Sequence, residues 1–162
     1  MRSPLAWLAI GALVLNLNSG ALAQAASNPN LNAQLLVAAR QGDLAALDRA
    51  LVRGAAPNSR NRLGKTALLI ACEKGLGAMA ERMLAAGADA NFASLEGVTP
   101  LMAASYGGHA ALAKRLLDAG ARAEPIDRMK KPAIVYAAGQ GHAELVGLLL
   151  DRGVPINAAY EH

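Results

Sequence analysis

Between residues 66 and 87 the apolar positions come in two short bursts. Ala67–Lys74 is mostly apolar and stops at Gly75; Leu76–Ala86 is a second apolar-rich stretch and stops at Gly87. Ala and Leu favour helix, and glycine accepts the left-handed backbone that ends one. The pattern therefore predicts two short helices. Thr66 stands one residue before the first, where a hydroxyl can cap it, and Thr99-Pro100 repeats that start with proline at the first helical position. A polar, hairpin-like segment over Ala88–Val98 leads from the second helix to the next start.

The same layout returns every 33 residues. Ala38, Ala71, Ala104 and Ala137 share one register; Gly42, Gly75, Gly108 and Gly141 another; Gly54, Gly87, Gly120 and Gly153 a third. Leu51, Leu84, Leu117 and Leu150 follow suit, as do Leu35, Leu68, Leu101 and Ile134. Two short helices with a protruding turn cannot bury their apolar faces alone. Stacked neighbours can, so the periodicity predicts a linear solenoid.

The residues inside the period resemble the ankyrin-repeat family. Gly97-Val98-Thr99-Pro100-Leu101-Met102-Ala103-Ala104 is similar to the family's opening motif, Gly108-His109 and Gly141-His142 to its helix junction, and Gly87-Ala88-Asp89-Ala90-Asn91 to its closing turn. The resemblance implies an all-α ankyrin-repeat solenoid of four helix pairs, roughly 31–53, 66–86, 99–119 and 132–152. Its repeats run over about 31–61, 62–94, 95–127 and 128–160, within a domain over 31–162. Departures from the motif carry expectations too. Met102, Leu69 and Val135 replace its His, so the polar bracing that His gives should be absent. Pro132 replaces the capping Thr and Lys130 a Gly, so the last finger should be less regular. Gly120-Ala121-Arg122-Ala123-Glu124 lacks the Asp and Asn of the turn, and Gly153-Val154-Pro155-Ile156-Asn157 lacks the Asp.

The first residues follow a different rule. Arg2, an apolar stretch over Leu5–Leu17 and the small-residue pattern Ala21-Leu22-Ala23 read as a signal peptide over residues 1–23, with Ala23-Gln24-Ala25 as a second cleavage option. The apolar run falls short of the roughly 20 residues that span a bilayer. Export to the periplasm, or secretion, is therefore expected, with no stable membrane anchor after cleavage. Residues 24–30, including Asn28-Pro29-Asn30, read as a spacer.

Composition narrows the chemistry. Hydrophobic residues make up 54% of the chain, which excludes a disordered polar polymer, while aromatics at 3% exclude a large aromatic core. A single Cys excludes an internal disulfide. The net charge of +4 falls by one when Arg2 is removed, a mild excess that suggests no nucleic-acid partner. Cys72 shares the small-residue register of Ala39, Ser105 and Ala138 and reads as a buried, inert thiol. His109 and His142 read as helix-junction hydrogen bonders, and His162 is terminal. Ser105 has no His or acid placed to activate it. Gly107-Gly108 and Gly139-Gln140-Gly141 are helix ends and not phosphate loops. No catalytic, metal or cofactor site is expected.

What remains is binding. The resemblance implies a concave face built from turn tips and the exposed side of each first helix. Carried over by position, that face comprises Arg60, Arg62, Leu63 and Lys65 with Glu73 and Lys74; Ala93, Leu95, Glu96 and Val98 with Tyr106; and Arg128, Met129 and Lys131 with Gln140. Two basic fingers, Arg60/Arg62/Lys65 and Arg128/Lys130/Lys131, flank a finger with Leu95 and Val98. This predicts a partner protein with an acidic surface. The resemblance to small exported bacterial ankyrin proteins leaves several roles open. They are an accessory factor for a periplasmic enzyme such as a catalase, an immunity protein that neutralises a toxin, and a secreted effector.

Overall fold

The computed structural model describes residues 29–155. The signal-peptide reading over 1–23, the start of the spacer and the tail 156–162, with Ile156, Asn157 and His162, lie outside the described residues.

Among the described residues the chain forms eight helices and no strands. They are α1 (Pro29–Gln41), α2 (Leu44–Val52), α3 (Ala67–Glu73), α4 (Gly77–Ala85), α5 (Pro100–Tyr106), α6 (Ala110–Asp118), α7 (Ala133–Gly139) and α8 (Ala143–Asp151). Each odd helix pairs with the even helix after it. The pairs stack so that α1, α3, α5 and α7 form one layer and α2, α4, α6 and α8 the other. The solenoid expected from the periodicity is the observed fold. The first helix starts at Pro29, inside the segment read as spacer. Proline suits a first helical turn because its missing N–H has no intrahelical role there.

Caps set the short helices. Thr66 Oγ1 accepts the Leu69 N–H at 3.2 Å, and Thr99 Oγ1 accepts the Met102 N–H at 3.3 Å. Met102 returns the favour: its sulfur accepts the Thr99 N–H at 3.4 Å. The expected loss of bracing is thus corrected at this repeat, because a thioether reaches where Leu69 and Val135 offer no acceptor. Pro132 has no side-chain cap to give. The first helices end where Gly75, Gly108 and Gly141 turn left-handed, at φ of 68°, 74° and 77°. At Gly75 a Cβ would also come within 2.4 Å of the His109 ring.

The core is made of the repeat registers. Leu35, Leu68, Leu101, Ala71, Ala104 and Ala137 are buried, with Met83, Leu116 and Leu149 from the second layer. Burial contributes about 25 cal/mol per Å² of apolar surface, so small side chains repeated along an array add up to a continuous core. Ala39, Cys72 and Ser105 are buried in their common register, whereas Ala138 is exposed because no described helix stacks beyond α7.

Asparagines stitch the turns. Asn58 Oδ1 accepts the Asp89 N–H at 2.8 Å and its Nδ2 donates to Gly87 O at 3.4 Å; Asn91 makes the same pair with Arg122 N–H and Gly120 O, at 2.8 and 3.0 Å. Each bond crosses from one repeat to the next. Glu124 occupies the following position, and a carboxylate has no N–H to donate.

Candidate functional site

The fingers are built alike. Asn61, Ser94 and Asp127 head them, one per repeat. Asn61 Oδ1 accepts from Leu63 N–H and Lys65 N–H at 2.9 and 3.0 Å, Ser94 Oγ from Val98 N–H at 3.3 Å, and Asp127 Oδ1 from Met129 N–H and Lys131 N–H at 2.9 Å each. Gly64, Gly97 and Lys130 then turn left-handed, at φ of 74°, 81° and 57°. The last finger is therefore as regular as the others, which corrects the expectation drawn from Lys130 and Pro132. The cap-like Asp127 bonds hold the shape that glycine would otherwise permit. Neighbouring fingers join through Leu95 N–H to Leu63 O and Arg128 N–H to Glu96 O, both 3.0 Å.

These bonds align the tips. Leu63, Leu95 and Met129 stand 61%, 57% and 65% exposed on successive fingers. Arg62, Glu96 and Arg128 are exposed beside them, and Lys74 and Gln140 are exposed as the C-caps of α3 and α7. Val98 and Lys131 are half-buried at the finger feet.

The basic character of the fingers is moderated. Lys65 Nζ lies 2.6 Å from Glu73 Oε1, Arg128 Nη1 lies 3.3 Å from Glu96 Oε1, and the Arg60 guanidinium stacks 4.2 Å over the Phe92 ring. Three of the basic side chains are thus engaged within the face. Sequence could not show this, since the partners lie eight to 32 positions apart.

Below the tips, Val98, Met102, Ala103, Tyr106, Tyr136 and Glu73 line a cleft of about 340 Å³. Tyr106 and Tyr136 meet edge to face, with centroids 6.0 Å apart and planes at 80°. The Tyr136 hydroxyl donates to Asp127 Oδ2. Burial, reinforced by that bond and by the Asp127 charge, pushes the Tyr136 phenol up to about 12. Of the expected site residues the structure brings Val98 and Tyr106 together here, with Glu73. Arg62, Leu63, Leu95, Glu96, Arg128 and Met129 lie on the tips outside the cleft. Tyr136 and Asp127 were not among the expected site residues. The signal for Asp127 was the Asn61/Ser94/Asp127 register, which different residue types disguise; Tyr136 stands in the register of Ile70 and Ala103, where nothing marks it.

Other candidate chemistry is placed elsewhere. His142 Nε2 lies 3.1 Å from Tyr106 O; a carbonyl only accepts, so Nε2 carries the hydrogen. This is the helix-junction bond expected of it. Cys72 is wholly buried, and burial, with Glu73 adding, pushes its thiol up. Among the described residues no three His, Cys, Asp or Glu side chains are grouped to hold a metal ion, and no helix is long and apolar enough to cross a membrane.

No curated protein matches the chain. The family model described as Ankyrin repeats (3 copies) matches residues 35–127 and 76–160. Nearly all of the described solenoid falls inside those matches, and the chain belongs to the ankyrin-repeat family.

Proposed function

We propose that this chain is a non-enzymatic binding module, exported to the periplasm or secreted, that holds a partner protein against its finger face. Ankyrin repeats are in general protein–protein interaction modules. The observation that carries the reading is the row of apolar tips, Leu63, Leu95 and Met129, above a cleft walled by Tyr106 and Tyr136. Aromatic and apolar groups ringed by charge are the usual anatomy of a contact surface. Arg62, Lys74, Lys130 and Lys131 form the basic rim, which favours an acidic surface around the contact. The accessory, immunity and effector roles share this surface chemistry and differ in the partner's identity.

Site-specific photocrosslinking tests it. A photoreactive residue at Leu95 or Tyr106, in the protein produced in its own cells, should trap one defined protein. The same group at exposed Lys114, on α6, should not. Equal trapping from all three positions, or none, overturns the finger-face reading. Export is tested by N-terminal sequencing of the periplasmic protein. It should begin at Gln24 or Ala26; an intact Met1 overturns it.

A further inference from the structure

The cleft carries a chemistry that the tips lack. Two phenol rings in edge-to-face contact, Glu73, and the apolar side chains of Val98, Met102 and Ala103 line it together. At about 340 Å³ it has room for one long side chain and not for a helix. One wall is fixed in advance. Tyr136 is tied to Asp127, and Asp127 is tied to two backbone N–H groups of its own finger. Little ordering is then left for a ligand to impose.

Glu73 is engaged but not saturated. Its Oε1 holds Lys65, and a carboxylate has about four acceptor sites over two oxygens. A group that enters here meets a carboxylate with acceptor sites beyond its Lys65 bond, aromatic rings and an apolar base together. That combination suits a cation with a flat, weakly hydrated head and an apolar stem.

We propose that the cleft is an anchor pocket for an arginine side chain of the partner protein, an inference that rests on the finger face being the contact surface. The guanidinium stacks on Tyr106 and donates to Glu73, while its methylene stem lies over Met102 and Val98. Lysine fits less well, because its ammonium is a compact and strongly hydrated charge with no plane to stack. Lys65 competes for Glu73 and sets the affinity. A partner with one arginine inside an acidic surround satisfies both the pocket and the basic rim.

The probe is N-acetyl-arginine N-methylamide, titrated into isotopically labelled protein and followed by amide chemical shifts. Saturable shifts should cluster at Glu73, Met102, Tyr106 and Tyr136. The citrulline analogue has the same shape without the charge and should bind about tenfold more weakly. Glu73→Gln and Tyr106→Leu should each weaken arginine by a similar factor. Lys65→Gln should tighten it several-fold, since Glu73 loses its internal partner. Equal binding of citrulline, an unchanged Glu73→Gln titration, or shifts that never saturate would each overturn the pocket. If arginine is ignored while photocrosslinks at Tyr106 persist, the anchor fails and the face stands. Saturable arginine binding with no crosslink at Leu95 or Tyr106 supports the pocket and removes the face.

Discussion

Tyr136 donates its hydroxyl hydrogen to Asp127, joining the middle of α7 to the foot of the last finger. Asp127 is 7% exposed, and this bond adds a third donor to the two backbone N–H groups that its carboxylate already accepts. Tyr136→Phe leaves Asp127 Oδ2 short of that donor and should destabilise the protein by about 1–2 kcal/mol. The phenol adds a pH dependence. Its folded value, pushed up to about 12, lies above the ordinary tyrosine range near 10. The unfolded chain therefore releases the proton first. The contribution is full below about pH 10 and is lost as pH rises toward 12. A phenolate absorbance titration should show one late-ionising tyrosine, and Tyr136→Phe should remove that step. A wild-type titration with no late step counts against the bond.

Asn91 and Glu124 occupy equivalent positions with opposite consequences. Asn91→Ala removes two bonds to the next repeat and should cost about 1–2 kcal/mol in denaturant unfolding. Glu124→Asn should raise stability by up to about 1 kcal/mol by supplying the amide N–H that the last junction lacks. No gain in the midpoint would mean that the final turn is held by other means.

Lys130 sits at φ 57°, where its repeat equivalents are glycine. Side-chain clash in that region costs about 1–2 kcal/mol, partly offset by the backbone freedom that glycine adds to the unfolded chain. Lys130→Gly should therefore stabilise by about 0.5–1 kcal/mol. Gly97→Ala is the reverse case. Its φ is 81°, and the new Cβ would sit 3.0 Å from Asp127 Cα, so this variant should melt lower.

Cys72 packs without exposed surface in a register of small residues. A thiol reagent should modify it only at the rate of unfolding. Cys72→Ala should cost about 1 kcal/mol and leave binding intact. Rapid labelling of the native protein would show the register to be open.

For the partner recovered by crosslinking, Tyr106→Ala and Leu95→Ala should each weaken binding by about 2 kcal/mol or more, the usual size of a hot-spot truncation. Both side chains are more than half exposed, so melting should change little. Charge reversal at Lys131 should act mainly on association rate, most visibly at low salt. Wild-type binding by both alanine variants would move the contact off this face.

The helices were legible because their determinants are local and repeated. Thr66, Thr99, Gly75 and Gly108 each act on the turn next to them, and stacking does not alter what they do. The burial of Cys72 was legible from its register. The exposed tips Leu63, Leu95 and Met129 were also readable, since fingers carry their polar-to-apolar departures on the surface. The cleft was less so. Its walls come from α5 and α7, and its charge comes from α3, so it exists only once three repeats stack. Likewise Asn61, Ser94 and Asp127 perform one task with three side chains, and a search for identical residues passes over them. The ion pairs that temper the fingers depend on side-chain reach, within a repeat for Lys65 and Glu73 and between repeats for Arg128 and Glu96, which spacing along the chain does not encode.

The asparagine bridge ends at Asn91, and this bears on the cleft. Tyr106 belongs to the third repeat and Tyr136 to the fourth, so the two rings meet edge to face across the junction where no asparagine spans the turn. A load that shears the array there meets no asparagine bridge and bears instead on the bonds from His142 to Tyr106 O and from Arg128 N–H to Glu96 O. The edge-to-face contact of the phenols lies among those bonds. A partner side chain resting on both rings touches two repeats at once, and so acts as a further clasp beside the bonds that the chain supplies there.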